Sequence, residues 1–177
     1  ASDDLKNDKD IIMAAVHKNG QSLEYASYAL QNDKEVVLAA VQEYAWALRY
    51  ASDDLKNDKD IIMAAVHKRG QSLEYASYAL RNDKEVVLAA VQEYAWALRY
   101  ASDDLKNDKD IALKIVLKCG CDFRILPCSM RDDSEILAAA MSTCISSIKY
   151  ASSRLQKTIP FIDYKINSNC YCDDIPF

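Results

Sequence analysis

The chain has 177 residues, with 22 basic against 27 acidic side chains and a formal net charge of −5. Because these charges are spread along the whole sequence, the chain lacks the basic face that a nucleic-acid backbone or an anionic membrane would require of its main partner. Its apolar runs, such as residues 11–16, are far shorter than the ~20 residues of a membrane-spanning helix.

A single motif recurs every 25 residues through the sequence. Each copy, here called a rung, opens on a leucine or methionine, and the openings are Leu5, Leu30, Leu55, Leu80, Leu105, Met130 and Leu155. A fixed period in this range is typical of a solenoid, in which each rung packs only on its neighbours. We therefore expect an all-α fold, an elongated α-solenoid of about seven 25-residue helical-hairpin rungs.

The repeat also suggests how the chain is organised. Residues 1–154 are expected to form the helical array, and residues 155–177 a degenerate C-terminal capping rung with a tail, because terminal repeats are usually atypical. The sequence begins on Ala1-Ser2, which corresponds to the end of a rung, so we expect a piece of a longer array. Two blocks, 1–50 and 51–100, are identical except that Asn19 becomes Arg69 and Gln31 becomes Arg81.

Each rung is predicted to start with an amphipathic helix. In the first rung, Ile11, Ile12, Ala15 and Val16 have the spacing of one apolar helical stripe. This helix should end near the glycines at 20, 70 and 120, because glycine most easily adopts a left-handed helix terminus. A shorter second helix is expected over about residues 22–29.

An acidic column precedes the first helix of each rung. Asn or Asp at a helix N-cap accepts hydrogen bonds from unpaired backbone amides, and the acidic residue three positions after the Asn, Asp10 or Glu35, would complete a capping box. We interpret the column as caps rather than as catalytic or metal-binding carboxylates. Its members are Asp8, Asp33, Asp58, Asp83, Asp108 and Asp133.

The pattern weakens after residue 110. Pro127 replaces the serine that ends the other rungs. A proline has no amide hydrogen and disfavours helix at the residue before it, Leu126. The second helix of the fifth rung is therefore expected to be short or displaced.

The repeated residues resemble a known family. The pattern Leu-x-Asn-Asp-Lys-acidic-β-branched-β-branched-x-Ala-Ala-Val at 30–41, followed by Leu-x-Tyr-Ala-Ser at 48–52, is similar to the repeat called domain of unknown function 4116. The resemblance covers residues 1 to about 154. It implies tandem short helices and an interaction role, and it offers no catalytic residues to carry over.

The most promising binding residues occur in alternate rungs, between the two helices. These are Tyr44 and Trp46, with Tyr94 and Trp96 two rungs later, and together they are called the aromatic edge. Tyr and Trp are the residues most often found as binding anchors. The alternative is that Trp46 folds inward to fill space left by Ala45 and Ala47, and the sequence leaves both open.

All six cysteines lie at or after Cys119, in two C-x-C pairs and two single positions. A disulfide scaffold would spread them through a small, loop-rich fold, so reduced thiols are expected. Zinc would need four ligands at ~2.3 Å, whereas rungs stack ~10 Å apart. We therefore expect no metal site and no cofactor. With no signal-peptide pattern, the expected location is cytoplasmic.

The sequence thus favours a non-enzymatic scaffold that binds an unidentified protein or peptide, and not an enzyme, because no set of nucleophile, base and orienting group is recognisable. One alternative is a metal-binding or redox protein that uses the Cys-rich C-terminal third. Another is binding of single-stranded nucleic acid, one base per rung, which the acidic charge argues against; a membrane is not expected as a partner. Self-association through the exposed first rung also stays open.

Overall fold

The computed structural model of the protein describes residues 3–158, and it is an all-α repeat solenoid with no strand among those residues. Contacts divide the chain into two compact units, residues 1–102 and 103–177. None of the helices within 3–158 is long and apolar enough to cross a membrane. Most of the predicted capping rung and tail, residues 155–177, lies outside the described residues.

Each of the first six rungs contains a ten-residue α-helix, called its long helix, followed by a six-residue 3₁₀ helix. In unit 1 the long helices are Lys9–Lys18, Lys34–Glu43, Lys59–Lys68 and Lys84–Glu93. The 3₁₀ helices that follow them are Gly20–Tyr25, Ala45–Tyr50, Gly70–Tyr75 and Ala95–Tyr100. In unit 2 the corresponding pairs are Lys109–Lys118 with Gly120–Ile125, and Ser134–Thr143 with Ile145–Tyr150.

A short helix precedes each long helix. These are Asp3–Lys6, Tyr28–Gln31, Asp53–Lys56 and Tyr78–Arg81 in unit 1, and Asp103–Lys106 and the 3₁₀ turn Met130–Asp132 in unit 2. A further helix, Ser153–Thr158, ends the described part of the chain. Every complete rung therefore has three helical pieces rather than two.

The prediction of one second helix over residues 22–29 was wrong. The chain leaves the 3₁₀ helix at Ala26 and stays extended through Ser27, with ψ angles of 154° and 159°. The Ser27 amide donates to the carbonyl of Lys6 in the preceding short helix at 2.8 Å, while its Oγ accepts from the amide of Leu30. A local side-chain bond and a bond to the preceding short helix thus replace the continuous helical ladder.

The serine at this position also joins successive short helices through its side chain. Ser27 Oγ donates to Asn7 Oδ1 at 2.8 Å and Ser77 Oγ to Asn57 Oδ1 at 2.6 Å. In unit 2, where Pro127 stands in the serine column, Ser129 Oγ donates to Asn107 Oδ1 instead. The rung-five irregularity predicted from Pro127 falls on the short helix, which becomes the 3₁₀ turn Met130–Asp132.

The long helices begin where the acidic column predicts. Asp8 Oδ1 accepts from the amides of Asp10 and Ile11, and the same arrangement recurs at Asp33, Asp58, Asp83, Asp108 and Asp133. The predicted capping box was wrong, because the cap is the Asp and not the preceding Asn. The third helical residue is consequently apolar, and the Asn is left to bind the serine that precedes the next short helix.

The long helices end before the glycines, as predicted, but for a different reason. Gly20 does not adopt the left-handed conformation, and it is the first residue of the 3₁₀ helix. A Cβ at Gly20 would lie 2.3 Å from the carbonyl oxygen of Ala40 in the next rung, and a Cβ at Gly120 would lie 2.1 Å from that of Ala140. Glycine is needed because the neighbouring backbone passes too close for a side chain.

The core consists of apolar columns that run through each unit. Within each unit the long helices of consecutive rungs pack against one another. Two columns are buried at nearly every described rung, with Met141 half-exposed; their buried members are Val16, Leu23, Val41, Leu48, Val66, Leu73, Val91 and Leu98 in unit 1, and Val116, Phe123 and Ile148 in unit 2. These buried columns hold the ends of the long helices at fixed positions on the surface.

Candidate functional site: the aromatic edge

The ends of the long helices place the aromatic edge at the surface of unit 1. Tyr44 and Tyr94 are the residues that terminate their long helices, and Trp46 and Trp96 are the second residues of the 3₁₀ helices that follow. Tyr44 is 41% exposed and Trp96 is 39% exposed, while Trp46 and Tyr94 are half-buried. All four rings thus remain partly accessible.

The indole of Trp46 is held between two side chains of the next rung. The ring of Tyr75 meets it edge-on, with the centroids 6.2 Å apart and the planes at 61°. The guanidinium carbon of Arg69 lies 5.0 Å from the indole centroid, in cation–π geometry. Arg69 is itself held by its Nε, which donates to Gln71 Oε1 at 3.0 Å. These three residues, Trp46, Arg69 and Tyr75, are called the Trp46 cluster.

The sequence left open whether Trp46 folds inward. In the structure its side chain is half-buried, whereas its neighbours Ala45 and Ala47 lie in the core, at 5% and 0% exposure. The indole therefore covers the neighbouring rung instead of filling the core.

Tyrosine hydroxyls next to the cluster are engaged by acidic residues of the preceding rung. Tyr50 Oη donates to Glu24 Oε2 at 2.9 Å, and this bond raises the pKa of the Tyr50 hydroxyl above its ordinary value. Burial, followed by the charge of Glu74, raises the pKa of Tyr100 in the same way. Arg49 and Arg99 lie over the rings of Tyr50 and Tyr100, at 5.1 and 5.4 Å. The surface around the edge is thus fixed by contacts between rungs.

Sequence reasoning missed Arg69 and Tyr75 as members of the site. A signal was present, because Arg69 is one of only two differences between the near-identical blocks. It stands where the first rung has Asn19, so the two blocks are expected to differ in what they offer at the aromatic edge. Using that signal would have required knowing that one rung's 3₁₀ helix lies beside the end of the next rung's long helix.

The acidic column carries a second role that the sequence left unnoticed. Lys9 Nζ lies 2.8 Å from Asp33 Oδ2 and 2.8 Å from Glu35 Oε2, both in the next rung. Hydrogen bonding to Lys9 holds the pKa of Asp33 below its usual range, against the opposing effect of burial. Among the described residues, no group of three or more His, Cys, Asp or Glu side chains is arranged to hold a metal ion.

The same Lys–Asp–acidic triad recurs along both units. Its further members are Lys34 with Asp58 and Asp60, Lys59 with Asp83 and Glu85, and Lys109 with Asp133 and Glu135. Each triad joins the start of one long helix to the start of the next.

The cysteines of unit 2 occupy positions equivalent to those of the aromatic edge. Cys119 and Cys144 terminate long helices, as Tyr44 does, and Cys121 stands where other rungs have Trp46 or Trp96. Cys121 Sγ and Cys144 Sγ are 2.7 Å apart. The expectation that rung spacing keeps thiols of neighbouring rungs apart was therefore wrong for this pair, because Gly120 allows close approach. Cys170 and Cys172 lie outside the described residues.

Comparison with known families gives one match. A family model described as a domain of unknown function (DUF4116) matches residues 1–31, 33–81, 83–127 and 108–156. The three longer matches each span close to two rungs. This length agrees with a 50-residue unit in which a rung with Gly20 or Gly70 is followed by a rung with Trp46 or Trp96. No curated protein and no solved structure matches the chain.

Proposed function

Since the chain belongs to the DUF4116 family, a family of unknown function, we propose that it is a non-enzymatic scaffold that binds a protein or peptide along the aromatic edge. The observation that carries this proposal is the Trp46 cluster, a partly exposed indole held in place by Arg69 and Tyr75. A ring that is already fixed loses little conformational freedom when a partner docks on it.

The composition of the edge supports this proposal. Trp, Tyr and Arg are the residues most enriched among those that dominate binding energy at interfaces. Tyr94 and Trp96 repeat the pair Tyr44 and Trp46 fifty positions later in unit 1. A partner with two apolar anchors could then engage both pairs, and the second contact would raise the affinity through a higher effective concentration.

The test uses substitutions that the protein already carries in its other rungs. Asn19 occupies the position of Tyr44, and Gln21 and Gln71 occupy that of Trp46 and Trp96. The variant Tyr44→Asn, Trp46→Gln, Tyr94→Asn, Trp96→Gln should therefore keep the fold, which circular dichroism would check. Each protein would be immobilised and incubated with an extract of the source cells, and the captured proteins quantified by mass spectrometry.

The matched control changes two exposed tyrosines elsewhere. Tyr28 and Tyr78 are 73% and 71% exposed on the short helices, and Ser153 occupies their position in a later rung. We expect the aromatic-edge variant to lose captured partners by at least ~10-fold, and Tyr28→Ser with Tyr78→Ser to retain them. A folded aromatic-edge variant that captures the same proteins as the unchanged chain would contradict the proposal. If the unchanged chain captured no protein but bound added single-stranded RNA, the nucleic-acid alternative would be favoured.

A further inference from the structure

Two thiols of neighbouring rungs meet in unit 2. Cys121 is the second residue of the 3₁₀ helix Gly120–Ile125, and Cys144 terminates the long helix Ser134–Thr143. Their Sγ atoms lie 2.7 Å apart, although the residues are 23 positions apart in the sequence. Cys144 is 3% exposed, whereas Cys121 is partly accessible.

This approach is a property of the backbone and not of one side-chain rotamer. A Cβ added at Gly120 would come within 2.9 Å of Cys144 Cβ, so the chain beside Cys121 passes directly over the end of the next helix. The same offset of 23 positions places Arg69 over Trp46 in unit 1. Cys121 and Cys144 therefore occupy the same two repeat positions as Trp46 and Arg69, and the two pairs make equivalent contacts between neighbouring rungs.

We propose that Cys121 and Cys144 form a modification site at which a small-molecule disulfide, such as oxidised glutathione, converts two thiols into a covalent link between the fifth and sixth rungs. A disulfide bond has an S–S distance of ~2.0 Å, and the two Sγ atoms already lie 2.7 Å apart, so a small side-chain movement is enough to join them.

The exchange proceeds in two balanced steps. Cys121, the more accessible thiol, loses its proton and attacks one sulfur of oxidised glutathione; the glutathione disulfide bond breaks, and one reduced glutathione leaves with a proton. Cys144 then loses its proton and attacks Cys121 Sγ, so that the protein disulfide forms and the second reduced glutathione leaves. Both protein sulfurs are oxidised, and one glutathione disulfide is reduced.

The surroundings of Cys144 suit the second step. Ser146 Oγ lies 3.0 Å from Cys144 Sγ and can donate a hydrogen bond to the sulfur when it is a thiolate. Burial keeps Cys144 from external disulfides, while its contact with Cys121 leaves it positioned for attack on a mixed disulfide. Cys121 is thus the entry thiol and Cys144 the resolving thiol.

The first experiment maps the link in the intact chain. Trypsin cleaves after Lys118, Arg124, Arg131 and Lys149, so peptide 119–124 carries Cys119 with Cys121 and peptide 132–149 carries Cys144. Because peptide 119–124 carries two thiols, the experiment is done in a Cys119→Ser background, so that any link from this peptide comes from Cys121. Other rungs have the polar residues Asn19 and Arg69 at this position, so serine should be tolerated there. After treatment with oxidised glutathione and alkylation of the remaining thiols, we expect these two peptides to be joined. Reduction should separate them, and Cys128→Ser should leave the link unchanged.

The second experiment tests the order of the steps. In the same background, Cys144→Ser should accumulate glutathione on Cys121, whereas Cys121→Ser should leave Cys144 at least ~10-fold less modified. Serine already occupies the Cys121 position at Ser146, so this variant should fold. Oxidation of the unsubstituted pair should raise Tm by at least ~5 °C, and Cys121→Ser should abolish that rise.

Three results would overturn the proposal. One is a folded protein in which peptides 119–124 and 132–149 stay unlinked across the glutathione titration. Another is a link from peptide 119–124 to peptide 166–177, which carries Cys170 and Cys172. The third is glutathione modification of Cys144 in the Cys121→Ser variant that equals modification of Cys121 in the Cys144→Ser variant, which would contradict the assigned entry and resolving roles.

Discussion

A single glycine per alternate rung controls how closely two rungs approach. Gly70 opens the 3₁₀ helix Gly70–Tyr75, and a Cβ there would lie 2.2 Å from the carbonyl oxygen of Ala90. That oxygen belongs to the backbone of the next long helix, so no side-chain rotation can make room. Ala95, at the same position one rung later, tolerates its methyl group.

Gly70→Ala tests this packing by the sign of its effect. If there were room for a methyl group, the substitution would stabilise the protein by ~0.4–1 kcal/mol through the unfolded state. We expect instead a loss of ~1–3 kcal/mol in the free energy of unfolding, because the overpacked backbone must shift. Urea denaturation followed by circular dichroism measures it.

The control for Gly70 is Ala95→Gly, which creates no clash. It should cost only ~0.5–1 kcal/mol, the usual penalty of glycine within a helix. A stabilising Gly70→Ala, or equal losses in the two variants, would contradict the close-approach explanation.

At the residue scale, the sequence predicts whether a residue is buried or caps a helix better than it predicts which residues that residue contacts. The buried columns and the Asp caps follow from periodicity and local chemistry, so they could be predicted from the sequence. The neighbours of Trp46 could not, because Arg69 and Tyr75 reach it across the register between rungs. That register depends on the extended serine and the close glycine, and neither effect is visible in the spacing of one rung.

At the scale of elements, the start of each long helix is tied to the start of the next. Asp33 uses Oδ1 to accept from the amides of Glu35 and Val36, at 3.0 and 3.2 Å, and Oδ2 to accept from Lys9 at 2.8 Å. One carboxylate thus caps its own helix and binds the lysine of the preceding rung. The cap could be predicted from sequence, but the lysine contact needed the distance between rungs.

This arrangement makes stability depend on pH in a defined direction. The hydrogen bond from Lys9 lowers the pKa of Asp33 in the folded protein. Its stabilising contribution is therefore present above the unfolded pKa of ~3.9 and is lost as pH falls through the lower folded pKa. Asp33→Asn keeps an oxygen for the cap and removes the charge. We expect its free energy of unfolding to fall below that of the unchanged protein at pH 7, and the difference to shrink below about pH 4.

Two further variants serve as controls for Asp33→Asn, with the free energy of unfolding measured by denaturation across the same pH range. Asp33→Ala also loses the cap, which should cost ~0.5–2 kcal/mol. Asp53→Asn removes a fully exposed carboxylate, 3.7 Å from Lys56 within one short helix, and should have little effect. A difference between Asp33→Asn and the unchanged protein that stayed constant down to pH 2 would rule out the charge as its source.

The helical pieces themselves differ in how well they could be predicted. The long helices have a strong apolar stripe and a local cap, and their starts and ends match the sequence pattern. The 3₁₀ helix and the short helix could not be separated in advance, because the break between them depends on the Ser27 amide bonding to Lys6 of the preceding short helix. A tertiary hydrogen bond determines that boundary.

At the scale of the whole molecule, the repeat predicts that stability is distributed rung by rung. In a solenoid each repeat contacts only its neighbours, so a local defect is expected to weaken adjacent rungs most. The chain offers two equivalent core positions for a test. Leu73 in unit 1 and Phe123 in unit 2 occupy the same column, and both have 0% exposure.

Hydrogen exchange measured by mass spectrometry should reveal this distribution. Phe123→Ala should destabilise its surroundings by ~3–5 kcal/mol and Leu73→Ala by ~2–5 kcal/mol, through lost contacts and the cavity that remains. We expect Phe123→Ala to speed amide exchange in the long helices Lys109–Lys118 and Ser134–Thr143. It should leave Lys34–Glu43 protected, and Leu73→Ala should give the reverse pattern. Each variant thus serves as the control for the other. If both accelerated exchange equally along residues 3–158, the chain would unfold as one cooperative body, and the description of its energetics as a sum over neighbouring rungs would be wrong.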